Sequence, residues 1–83
     1  MVVWSRMSEY LTFVDMPLIR RKTRVVEVHS KTSNDVLGII KWWPAWRQYC
    51  FFPEEGTVWS IGCMHQVHNF ILDLKQRRSS GLD

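Results

Sequence analysis

The sequence predicts an α+β domain: a three- to four-stranded antiparallel β-meander packed against one C-terminal helix, behind an N-terminal extension. Three observations carry this. Runs rich in β-branched and aromatic residues occupy the middle of the chain, separated by short polar or proline-containing links. Those links are too short for parallel crossovers, which need a dozen residues or more. The final long segment instead repeats its apolar residues every three or four positions.

Residues 1–19 fit two readings. Trp4, Met7, Leu11 and Val14 recur at helical spacing, which makes a short helix the expectation. Tyr10-Leu11-Thr12-Phe13-Val14 is a run of strand formers, which keeps a strand as the alternative. Asp15-Met16-Pro17 ends either element, because Pro17 lacks an amide hydrogen and restricts Met16. The extension and its basic linker are taken as residues 1–22, the β-β-β-α domain as 23–77 and a flexible tail as 78–83.

The first strand of the domain is read in Thr23–Ser30, with Val26 and Val28 on one face and Glu27 and His29 on the other. Lys31-Thr32-Ser33-Asn34-Asp35 is a turn of small polar residues that tolerate left-handed geometry. Val36–Trp43 is the second strand, and Gly38 inside it marks a bulge or a close backbone approach. Pro44-Ala45 turns the chain into a third strand, Trp46–Phe52. Pro53-Glu54-Glu55-Gly56 is a loop, and Thr57-Val58-Trp59 a short extended piece. The helix is expected over Ile61–Gln76, capped by Ser60, with Met64, Val67, Ile71 and Leu74 as its buried stripe beside Cys63 and Phe70.

Length and composition exclude much. With 83 residues there is room for one domain, whose small core is enriched by five Trp, four Phe and two Tyr. Two cysteines are too few for a disulfide framework, no run approaches the ~18 apolar residues of a membrane span, and no cleavable leader is read at Met1. A cytoplasmic location with free thiols and no membrane association is therefore expected.

The net charge of +3 is gathered at Arg20, Arg21, Lys22 and Arg24, with a second cluster at Lys75, Arg77 and Arg78. Such patches suit nucleic acid or an acidic protein face, and equally a solvated linker and a helix C-terminus.

No catalytic constellation is legible. Cys63-x-His65-x-x-His68 with Cys50 offers four metal-ligand types, but on a helix Cys63 points about 200° from His65 and about 140° from His68. A tetrahedral zinc site needs those atoms to converge, so no metal and no cofactor are expected. A Cys63 nucleophile finds no glycine-rich oxyanion turn near it, and four scattered glycines make no phosphate loop. The chain is read as a binding protein and not an enzyme.

Trp42-Trp43-Pro44-Ala45-Trp46 places three indoles around one turn. Neighbouring strand residues face opposite ways, so Trp42 and Trp43 do not share a core. One is expected on the uncovered sheet face near Lys41, Arg47 and Tyr49. The candidate partner-binding surface is therefore Lys41, Trp42, Trp43, Trp46, Arg47 and Tyr49, since Trp, Tyr and Arg dominate interface energetics. Burial beneath the N-terminal segment is the competing reading.

Leu37-Gly38-Ile39-Ile40-Lys41-Trp42, Trp46-Arg47-Gln48-Tyr49-Cys50-Phe51-Phe52-Pro53, Thr57-Val58-Trp59, Cys63-Met64 and Phe70-Ile71 resemble a family of small phage and prophage proteins. The resemblance covers roughly residues 23–72 and carries no catalytic motif. It implies an accessory protein in the host cytoplasm that binds and inhibits or modulates a host protein, such as a defence component.

The runner-up is a nucleic-acid-binding domain. A three-stranded sheet backed by a C-terminal helix resembles the arm-binding domain of phage integrases, and Arg20, Arg21, Lys22 and Arg24, with Lys41 and Arg47, would then contact phosphates. A third reading is sequestration of a nucleotide signal by stacking and arginine clamps. The open edge of a small sheet allows either a monomer or a symmetric homodimer.

Overall fold

The computed structural model describes residues 4–16 and 23–79, with backbone alone for residues 4–7 and 77–79. Five strands, β1 (Trp4–Met7), β2 (Leu11–Asp15), β3 (Val25–Ser30), β4 (Val36–Trp43) and β5 (Gln48–Pro53), precede one helix, α1 (Ile61–Ser79). They form one antiparallel meander in the order β1-β2-β3-β4-β5. The α+β class and the C-terminal helix agree with the sequence reading.

The N-terminal stretch takes the strand alternative and not the short helix. Leu11, Phe13 and Asp15 sit opposite Ser30, Val28 and Val26, so the sheet crosses the boundary expected at Thr23. The physical reason is non-local: as a strand, Leu11 and Phe13 both reach the face that the helix covers. Both are buried there.

Residues directly opposite in a ladder share a face. Phe13 pairs with Val28, Val26 with Ile40, Ile40 with Phe51 and Trp42 with Tyr49. This face, with Val67, Phe70 and Leu74 of α1 laid over it, forms the core. Phe13 and Phe70 stack with ring centroids 4.3 Å apart and planes at 10°. Each such buried apolar side chain stabilises the fold by roughly 1.5–3 kcal/mol.

Ser60 caps α1 as its position predicts, its Oγ accepting from the Cys63 amide at 3.1 Å. The buried stripe is shifted from the expected one: Val67, Phe70 and Leu74 are buried, Ile71 is half-buried, and Met64 stays 52% exposed. The Phe13–Phe70 stack sets that rotation, because it seats Phe70 at the centre of the contact.

Gly38 is both things its position suggested. The β3–β4 register shifts beside it, and a Cβ there would lie 2.5 Å from the Phe51 ring. Asn34 holds the turn after β3 at φ 61, as a short polar side chain permits.

The other end of the meander is tied to the helix. Ser8 Oγ accepts from the Leu11 amide at 3.3 Å and donates to Gln66 Oε1, which also accepts from the Tyr10 amide at 3.2 Å. Lys31 donates from Nζ to the Ser8 carbonyl at 3.2 Å, joining the two neighbouring turns. These bonds hold the second turn of α1 against the β1–β2 turn, and among the described residues no helix lies on the opposite sheet face.

Candidate partner-binding surface

The open face carries what the helix does not cover. Along β4 and β5 it presents Ile39, Lys41 and Trp43 opposite Phe52, Cys50 and Gln48. Lys41 Nζ lies 4.7 Å from the centre of the Phe52 ring, a cation–π arrangement. Trp43 meets Phe52 edge-on at 5.8 Å and Trp46 at 6.4 Å. Trp46 is 67% exposed and Trp43 39%, whereas Val14, on the same face at β2, is buried. The uncovered region is therefore the β4–β5 hairpin. A cleft of about 260 Å³ opens among Trp43, Trp46, Cys50, Phe51 and Phe52.

The hairpin turn builds this patch. Pro44–Arg47 form a four-residue loop between the paired Trp43 and Gln48. The Trp46 amide donates to the Trp43 carbonyl and the Arg47 amide to the Pro44 carbonyl, both at 3.2 Å. Arg47 closes the loop at φ 53, the left-handed region that favours glycine. The third strand consequently starts at Gln48 and not at Trp46, and the turn lifts Trp46 onto Trp43.

The six residues expected at the surface divide between two faces. Lys41 and Trp43 lie on the open face, with Trp46 and Arg47 exposed in the turn. Trp42 and Tyr49 lie on the helix side, edge to face at 5.4 Å. Tyr49 is buried, and its hydroxyl accepts from the Arg24 amide at 3.2 Å, so its expected place on the open face is corrected. Alternation along the strand forces this: Trp42 and Tyr49 are cross-strand partners, one residue out of phase with Trp43.

Among the basic residues considered for phosphate contacts, Arg20, Arg21 and Lys22 lie outside the described residues. Arg24 is engaged inside the fold, its Nε 3.2 Å from Asp15 Oδ1. Glu27 also faces the open side, bonded through Oε1 to His29 Nε2 at 3.0 Å, and places a carboxylate on that face.

Sequence reasoning missed Phe52 and Cys50 as members of the patch. Counting strand parity back from a hairpin closed by Trp43 and Gln48 would have found both. A second apolar cleft, about 240 Å³, lies on the helix side between Phe51, Trp59, Met64, Val67, His68 and Ile71. Elsewhere, His65 and His68 are exposed with rings 6.5 Å apart. Among the described residues no three His, Cys, Asp or Glu side chains gather as metal ligands would. Among the described residues Tyr10 shows a clear shift: the adjacent Glu9 carboxylate, by charge and then by hydrogen bond, holds its phenol above the ordinary value.

Comparison with known proteins finds 34% identity over 71 residues to an uncharacterized 9.3 kDa protein of Acholeplasma phage L2. The match covers 86% of this chain and 91% of that one. No family model and no solved structure matches the chain. No helix among the described residues is long and apolar enough to cross a membrane.

Proposed function

The chain belongs to the family of this small Acholeplasma phage protein, and we propose that it is a non-enzymatic accessory factor that binds a host protein and inhibits or modulates it. The observation that carries this reading is the exposed indole pair Trp43–Trp46, meeting edge-on beside Phe52 and Lys41 on a sheet face that no helix among the described residues covers. Rigid aromatics with a neighbouring cation are what protein interfaces concentrate at their energetic centres. An uncovered apolar cleft beside them supplies a place for a partner's side chain. A phage context makes a host protein the natural target.

The nucleic-acid reading has less support. Arg24 is held by Asp15, and Glu27 faces the same side as Lys41. Capture of the tagged full chain with host lysate, with and without nuclease, separates the two. A host protein retained after nuclease treatment and lost with Trp46→Ala supports the proposal. Recovery of nucleic acid alone, or loss of every partner on nuclease treatment, overturns it.

A further inference from the structure

β5 is the last strand of the sheet, and among the described residues no strand lies outside it. Its backbone parity can be read from one bond. The Glu54 amide donates to the Leu37 carbonyl at 2.9 Å, so Glu54 points inward to β4. Alternation then turns Phe52, Cys50 and Gln48 inward as well, and aims the amides and carbonyls of Tyr49 and Phe51 outward. Pro53 falls on the outward parity, where its missing N–H costs no bond to β4.

Sheet edges left in water are normally blunted by charge, a bulge or extreme shortness. β5, Gln48-Tyr49-Cys50-Phe51-Phe52-Pro53, has six residues and no charge. Both apolar clefts flank it: one on the open face, one on the helix face, and Phe51 lines each. The opposite edge, β1, has four residues and carries Arg6.

We propose that β5 pairs with β5 of a second copy of this chain, antiparallel about a two-fold axis at Cys50, giving one continuous sheet across the dimer. Self-complementarity selects the occupant and the register. With Cys50 opposite its copy, Tyr49 faces the partner's Phe51 and Phe51 faces the partner's Tyr49, so every outward amide and carbonyl of both residues is bonded. A two-fold at Phe51 would set Tyr49 against Pro53, which has no amide hydrogen. A two-fold at Tyr49 would set Phe51 against Arg47, whose amide is already given to Pro44. No like charges meet across the axis, and Phe51 with the exposed Met64 supplies apolar surface beside it.

In this register the two Cys50 residues form a non-hydrogen-bonded pair, with Cα atoms about 4.5 Å apart. That lies within the roughly 4.4–6.8 Å that a disulfide spans. Diamide is therefore a direct probe of the register: it takes two electrons and two protons from the two thiols and is reduced to the hydrazine as the S–S bond forms.

Light scattering on the full chain in reducing buffer should give twice the 9.9 kDa chain mass. Diamide should link the copies through Cys50 in Cys63→Ser and fail to do so in Cys50→Ser. Cys50→Glu, which sets two carboxylates face to face across the axis while each stays opposite Lys41 of its own chain, should weaken the dimer at least tenfold while leaving the circular dichroism spectrum unchanged. A monomer at all concentrations, or a dimer that diamide does not link through Cys50, overturns the proposal whatever the variant does. Trp46→Ala leaves the mass unchanged, which keeps this test separate from partner capture.

Discussion

The guanidinium of Arg24 lies 3.2 Å from the carboxylate of Asp15, with 11% and 6% of the two side chains exposed. The pair sits where β2 ends and β3 begins, beside the bond from the Met16 amide to the Val25 carbonyl at 2.9 Å. Asp15→Ala takes this carboxylate from a nearly buried cation, which is destabilising on the order of 3–5 kcal/mol. The double variant Asp15→Leu/Arg24→Met should recover most of that loss. Urea titrations of the two single variants and the double variant check it, and a double variant no better than Asp15→Ala would refute the account.

Phe70→Ala removes one ring of the 4.3 Å stack with Phe13 and opens a cavity under the centre of α1. The expected cost is about 3–5 kcal/mol. A domain of this size has a total stability on the order of 4–12 kcal/mol, so the variant loses a quarter or more of it and its Tm should fall by roughly 12–40 °C. Thermal melts by circular dichroism read this directly.

At Gly38 the obstacle is steric. An added methyl group would meet the Phe51 ring at 2.5 Å and the Phe52 carbonyl oxygen at 2.8 Å. The ring can turn, but the backbone oxygen cannot move without shifting β5. Gly38→Ala should therefore cost about 1–3 kcal/mol, although alanine is ordinarily harmless in a strand. A stability equal to the parent would show that β5 moves aside freely.

Arg47 has the opposite sign. Its φ of 53 costs a non-glycine residue about 1–2 kcal/mol. Arg47→Gly should raise stability by about 0.5–1 kcal/mol after the added freedom of the unfolded chain is counted. Arg47→Ala, which keeps the Cβ, should not stabilise. A glycine variant with stability unchanged would show that the arginine's own contacts offset the strain.

Trp46 separates surface from core. With two-thirds of its surface in water, Trp46→Ala should change stability by no more than about 0.5 kcal/mol. In a captured complex the same change should weaken binding by about 2 kcal/mol or more. Unfolding of the variant would place Trp46 in the structural core instead.

Local chemistry was enough for several elements. Val25–Ser30 alternates side chains with period two, Ser60 caps the helix through its own hydroxyl, and the 31–35 turn holds its left-handed residue at Asn34. Each depends on neighbours within a few positions. Leu11–Asp15 could not be settled that way, because its spacing suits a helix or a strand until Phe13 is placed against Val28 and Phe70. The patch divides along the same line. Alternation shows that Trp42 and Trp43 face opposite sides, but not which side the helix will cover. That is decided by Ser8, Tyr10 and Phe13, far away in the chain, which seat Gln66 and Phe70 over one face and leave Trp43, Trp46 and Phe52 on the other. By itself, then, the sequence determined the class of fold, the 31–35 turn and the helix cap, because short-range forces select them. Only the tertiary structure decided the N-terminal strands, the rotation of the helix and the face of each tryptophan, because those follow from contacts between residues dozens of positions apart.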